Sequence, residues 1–214
     1  LDESVYVPND VALSIEAGVS VFSASSTDST PNSNTLTFDG SNLFINGNIN
    51  DPVNISGLGY IFLTHSYSDI KNAIFDNTGL NLWQSTSTIT KTTIKNSIKA
   101  ITTKGSKIDI QNSKLLHNAY GIASYKYMKG PFLVALNSFR DLGLALEDSA
   151  TPTYDTSQNI ISINNSSVVG NTQYGIFNQT INPIEATNNW WGSQDGPRTS
   201  TTTGIGDKID GLVN

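Results

Sequence analysis

A frame of apolar residue, spacer, apolar residue, spacer, Asn recurs along this chain, and each occurrence is followed by further short apolar runs. Ile108, Ile110 and Asn112 lead to Leu115 and Leu116, then to Asn118, Gly121 and Ile122. Leu133, Ala135 and Asn137 lead to Phe139 and then to Leu142, Leu144 and Leu146. Ile161, Ile163 and Asn165, with Asn164 beside it, lead to Val168 and Val169, then to Asn171, Gly175 and Ile176. Ile184, Ala186 and Asn188 close the series, and Ile70, Asn72, Ile74 and Phe75 form a looser copy upstream. Alternation with period two marks strands, not helices. A unit of about 20 to 28 residues holding two or three short strands is one coil of a parallel β-solenoid, whose coils bury their alternate residues against each other.

The expected fold is therefore all-β, a right-handed parallel β-helix of roughly seven to nine coils, because parallel crossovers take that hand. Residues 1–214 read as one domain, with residues 1–22 as the N-terminal coil or cap and residues 184–214 as the C-terminal coil. Twenty-four Asn suit corners, where a short amide tolerates turn backbones. An Asn repeated at one corner can also stack, its amide donating to one neighbour and accepting from the next. That ladder is expected at Asn112, Asn137, Asn164 or Asn165, and Asn188. A β-sandwich is the alternative for short alternating strands with Gly and Asn turns. The in-phase Asn, and runs of about three to five residues, argue for the solenoid.

Composition removes several functions. The net charge is −6 and only two of the twelve basic residues are Arg, so no face that tracks nucleic-acid phosphates is expected. With no Cys there are neither disulfides nor thiolate metal sites, and two His cannot make a three-histidine zinc centre. No run approaches the ~18 apolar residues of a membrane span. The chain opens on Leu1 without a charged and then apolar leader, which fits a processed chain or one cut from something longer.

Near the C-terminus, Asn188, Asn189, Trp190, Trp191 and Gly192 precede Gly196 and Pro197, and Gly206, Asp207, Lys208, Ile209, Gly211 and Val213 follow. This pattern resembles the last-coil signature of right-handed parallel β-helix, pectin-lyase-like repeat proteins of prokaryotic cell surfaces. Leu13, Ile15, Gly18, Val19 and Val21 resemble that family's opening coil, and residues 43–49 and 52–55 its next one. The family usually runs on into an aromatic-Pro-Trp ending, whereas this chain stops at Asn214, so the expectation is a trimmed end or a following domain or subunit. The resemblance implies a secreted or cell-surface location and admits polysaccharide lyases and glycoside hydrolases on the same fold. Large rings at a solenoid end bury apolar area and shield the last rung, so Trp190 and Trp191 read first as a cap and only then as a sugar-stacking platform.

Candidate chemistry is sparse. Asp109, Asp141, Glu147 and Asp148, with Arg140, Lys107 and His117, are the groups from which a paired-carboxylate or lyase site would be built. No two acids recur at one frame position in consecutive coils, and outward charges are usually just solvated. His65 and His117 share no frame and read as surface or turn residues. Tyr120, Tyr125, Tyr127 and Tyr174 form a loose aromatic set, and residues 125–131 lengthen one coil, making that loop the first candidate contact surface. Of the glycosylation triplets, those at Asn54 and Asn178 are the expected acceptors, because Asn164 and Asn165 are reserved for the corner ladder. The functional expectation is a non-catalytic structural or adhesive module without a cofactor, whose partners are cell-surface glycans or neighbouring subunits. A carbohydrate-active enzyme is the alternative.

Overall fold

The computed structural model describes residues 1, 3–23, 34–129, 153–155 and 159–214. Strands β1 (Val5–Val7), β2 (Ala12–Glu16) and β3 (Ser20–Phe22) make the first coil. The second has β4 (Leu36–Asp39), β5 (Asn42–Asn46) and β6 (Val53–Ser56); the third has β7 (Tyr60–Thr64), β8 (Tyr67–Lys71) and β9 (Ala73–Asp76). The fourth has β10 (Gly79–Trp83), β11 (Thr86–Thr90) and β12 (Thr93–Lys95), and the fifth has β13 (Lys99–Lys104), β14 (Lys107–Gln111) and β15 (Lys114–Leu116). β16 (Tyr120–Tyr125) opens the sixth, which is interrupted by an antiparallel pair, β17 (Tyr127–Lys129) with β18 (Thr153–Asp155). It resumes in β19 (Ile160–Asn164) and β20 (Ser167–Val169) before β21 (Tyr174–Asn178), β22 (Ile184–Glu185) and β23 (Ile209–Asp210).

Equivalent strands of successive coils pair in parallel, giving three sheets of eight, seven and six strands, and the chain is a right-handed parallel β-helix. Inward positions stack like on like. Leu36, Ile61, Leu80, Ile101, Ile122 and Ile176 form one continuous buried column, and Ile45, Ile70, Ile89, Ile110 and Ile163 form another. Burying each such side chain contributes about 1.5–3 kcal/mol, and register is pinned because a one-residue slip would turn the whole column outward.

Three corners make the winding possible, and each has the same two-residue chemistry. The first residue takes a left-handed backbone and faces solvent: His65 and Gln84 between the first and second sheets, Asn72, Lys91, Asn112, Asn165 and Asn188 between the second and third, and Asn77, Asn96 and His117 between the third and first, all with φ between 47° and 58°. The second residue turns in and, apart from Ala73 after Asn72, carries a hydroxyl or amide. Ser41, Ser66 and Ser85 donate their backbone N–H groups to the side-chain oxygens of Ser66, Ser85 and Ser106 in the next coil at 3.1–3.2 Å. Each of these acceptor hydroxyls in turn donates to the carbonyl two residues before it, as Ser66 does to Thr64 and Ser85 to Trp83. Thr92, Ser113, Ser166 and Asn189 form the matching ladder at the second corner. Ser97, Asn118 and Asn171 form the third, which ends on the carboxylate of Asp207.

The amide ladder expected at Asn112, Asn165 and Asn188 thus runs one residue further along, through Ser113, Ser166 and Asn189. The frame Asn are the exposed left-handed residues. Asn164 lies half-buried at the end of β19, accepting a hydrogen bond from Thr187. β14 pairs directly with β19, Gln111 opposite Asn164; residues 133–137, with Asn137, lie outside the described residues.

At the C-terminal end the two tryptophans separate. Trp191 is 7% exposed and packs into the core, while Trp190 is 48% exposed on the outside of the third sheet, bridged to Ser167. Gly192 (φ 88°) and Gly196 (φ 78°) turn the chain back so that Asp207 can donate its N–H to the Trp191 carbonyl. The Pro197 carbonyl accepts from the Thr202 hydroxyl in the same return.

Replacing Ser113 by Ala leaves the buried Thr92 N–H without an acceptor and is expected to cost about 1–3 kcal/mol in urea unfolding. Asn112→Gly, at the left-handed position, should change stability by less than about 0.5 kcal/mol. The reverse order would place the ladder at the Asn. Trp191→Ala should cost about 3–5 kcal/mol by the same measurement. Trp190→Ala, which empties no core site, should cost less than about 1 kcal/mol.

Candidate ligand-binding face

The outward side of the first sheet carries the densest chemistry of the described residues. Register sets it out in three columns. Phe62, Asn81, Thr102, Ala123 and Phe177 form the middle one, and its centre is built from small side chains. Lys99, Tyr120 and Tyr174 stand on one side; Trp83, Lys104 and Tyr125 stand on the other. The result is a face along the helix axis with small residues, Asn81, Thr102 and Ala123, in its middle column and the rings of Phe62 and Phe177 at its ends; Thr102 and Ala123 are buried beneath the larger side chains on either side. Five rungs at about 4.8 Å make the face roughly 19 Å long.

The rings support one another. Tyr120 stacks on Tyr174 with centroids 5.7 Å apart and planes 19° apart, and Phe177 lies 4.9 Å from Tyr174 and 6.2 Å from Tyr125. At the other end Tyr60 packs on Phe62 at 5.7 Å. Lysines lie over the rings: Lys99 at 4.9 Å from the Tyr125 centroid, Lys104 at 5.6 Å from Trp83, and Lys208 at 4.4 Å from Tyr174, whose hydroxyl it also meets at 3.2 Å. Such contacts hold a cation where water is partly excluded. Burial, with the charge of Lys99 behind it, lowers the pKa of Lys104 below the ordinary lysine value, and burial raises that of Tyr60. Thr102 is 6% exposed and its hydroxyl has no hydrogen-bond partner, which is uncommon for a buried polar group.

Three of the four tyrosines read from the sequence, Tyr120, Tyr125 and Tyr174, meet on this face. The backbone of Tyr127 lies in β17, which leaves the sheet directly beyond Tyr125. Tyr60, Phe62, Trp83, Phe177 and the lysines were not singled out by sequence reasoning. The signal that would have found them is the outward phase of each strand, read in register at the coil spacings of 19 and 21 residues.

The other candidates disperse. Asp109 points outward on the second sheet, its carboxylate accepting from Ser162 at 2.7 Å and Gln111 at 2.8 Å. Asp69 shares its column two rungs away, across Thr88, and is paired with Lys71 at 2.6 Å. Lys107 lies at the edge of the same sheet. Asp141, Glu147, Asp148 and Arg140 lie outside the described residues. His65 is a corner residue whose Nε2 lies 2.7 Å from Gln84, and His117 is another, lying against Gly170. Among the described residues no group of three or more His, Asp and Glu side chains could hold a metal ion, and no helix is long and apolar enough to cross a membrane. Asn54 is exposed, but Asn178 is 5% exposed and its amide nitrogen donates to the Asn182 and Leu212 carbonyls, so it is committed to the interior. Asn165, set aside for the ladder, is exposed instead.

Comparison with protein-family models, curated proteins and solved structures finds no match to the chain.

Removing Lys99 as Lys99→Gln should raise the pKa of Lys104 toward, but not up to, the ordinary lysine value, because the neighbouring charge goes and the burial stays. Because the unfolded chain binds more protons than the folded one between the two values of Lys104, its contribution makes stability rise with pH across that window and the variant should narrow the rise. NMR titration of the lysine side chains reads the first; an unchanged Lys104 would show that the two ammoniums do not interact.

Proposed function

We propose that this chain is a non-catalytic module of a secreted or cell-surface protein, which binds carbohydrate through the outer face of its first sheet. The observation that carries the reading is the row of half-buried rings, Tyr60, Phe62, Trp83, Tyr120, Tyr125, Tyr174 and Phe177, along one outer face of the solenoid. An extended polymer can lie along such a face, and aromatic faces offer apolar area to the C–H face of a sugar ring while their edges stay wet. A rigid solenoid holds the rings in register before the ligand arrives, so little ordering free energy is lost on binding. By this reading the partner is a surface glycan and not a neighbouring subunit.

The hydrolase alternative rests on Asp69 and Asp109. Two rungs put their backbones about 9.6 Å apart, near the upper end of the separation an inverting pair uses. Ser162 and Gln111 hold the two oxygens of the Asp109 carboxylate, and Lys71 holds one oxygen of Asp69, whose other oxygen is buried without a partner.

Affinity electrophoresis and calorimetry against soluble polysaccharides test the proposal. Tyr120→Ala, which removes a ring that stacks on Tyr174, should weaken binding by about tenfold or more, corresponding to a loss of about 1.4 kcal/mol. No retention by any glycan, or retention indifferent to Tyr120, would end the reading. Release of reducing ends that is lost in Asp109→Asn would replace it with the hydrolase.

A further inference from the structure

We infer that the glycan bound on this face is anionic, its carboxylate or sulfate groups seated between the ammonium groups of Lys99 and Lys104 beside the ring of Tyr125. This deepens the carbohydrate reading and rests on it. Lys99, Thr102 and Lys104 all come from β13, Thr102 in the middle column and the two lysines at the ends of the strand on either side of it. The ammonium groups of Lys99 and Lys104 lie 4.9 Å and 6.0 Å from the centroid of the same ring, Tyr125, so two like charges are drawn to one aromatic side chain. Neither has a carboxylate partner: the ion pairs among the described residues are His65 with Asp39, Lys71 with Asp69 and Lys95 with Asp76. β7, β10, β13, β16 and β21 contain no Asp or Glu, in a chain with eighteen acids to twelve bases.

Two uncompensated ammoniums therefore meet at the ring of Tyr125, in a face otherwise lined by aromatic and small side chains. The depressed pKa of Lys104 is the mark of a charge that has lost water and has not been given a counter-ion. An anion supplies the missing counter-charge, accepting from Lys99 and Lys104 together. The net charge of −6 makes this a local recognition, because the field of the whole molecule repels a polyanion.

Calorimetry on the intact chain compares alginate, a carboxylate polymer, dextran sulfate, uncharged dextran, and oligothymidylate of matched charge. Alginate or dextran sulfate should bind at least tenfold more tightly than dextran, and which of the two binds identifies the anionic group. The Lys99→Gln/Lys104→Gln variant should lose that preference, and the Lys99→Arg/Lys104→Arg variant should keep most of it. In the unsubstituted protein, added ligand should raise the pKa of Lys104, and salt should weaken binding. Equal binding of dextran, or full affinity in the double Gln variant, would overturn this inference while leaving the Tyr120-dependent carbohydrate reading in place. Tighter binding of the oligonucleotide than of either anionic glycan would overturn it in favour of nucleic acid.

Discussion

A solenoid turns through three corners in every coil, and each corner breaks the strand ladder at a point where the next backbone N–H is already buried. Left without an acceptor, each such N–H would cost about 1–3 kcal/mol, and among the described residues twelve of them are bonded to a side chain of the next coil. The recurring answer is a left-handed residue that swings the chain outward, followed at once by a Ser, Thr or Asn that swings in. The inward oxygen accepts the N–H from the coil before it and, where it is a hydroxyl, commonly donates to its own chain two residues back. One small side chain serves both jobs, which is why Ser and Thr occupy these positions more often than Asn does.

Everything else in the architecture follows from that closure. With the corners satisfied, strands of three to six residues suffice, and the apolar columns of Leu, Ile and Phe continue from coil to coil without interruption. Asp207 closes one ladder by accepting from the Gly170 and Asn171 N–H groups, and Trp191 covers the last rungs of the core. The stretch around Gly206 to Val213 thus acts on corner, core and surface together, since the residue after Asp207 is Lys208, which reaches the hydroxyl of Tyr174.

The same regularity organises the outer face. Every rung repeats three outward positions of the first sheet at a fixed spacing, so rings and lysines from successive coils are brought together without any loop to place them. The rings and lysines are held by each other and by a rigid sheet. That is the condition under which partly desolvated charge can be kept in place for a ligand. The interruption between β16 and β19 begins at the edge of this face, and β17 leaves the sheet directly beyond Tyr125.

The apolar alternation and the spaced Asn were enough to specify strands, coils and parallel stacking, because period two and a repeat near 20 residues leave few other ways to bury those side chains. They were also enough to mark Asn112, Asn165 and Asn188 as corners. They could not say which of two adjacent polar residues turns inward, since Asn112 and Ser113 are equally suited to a bend by type. Only the φ of 52° at Asn112 sends the ladder to its neighbour. For the same reason Asn178 passed as a surface acceptor although its amide is bound inside. The candidate face was illegible because its members lie 19 to 54 positions apart along the chain, and only the winding aligns Trp83, Lys104 and Tyr125 in one column. By itself the sequence determined the element type and the periodicity; the lateral register between coils, a long-range hydrogen-bonding outcome, decided which side chains meet.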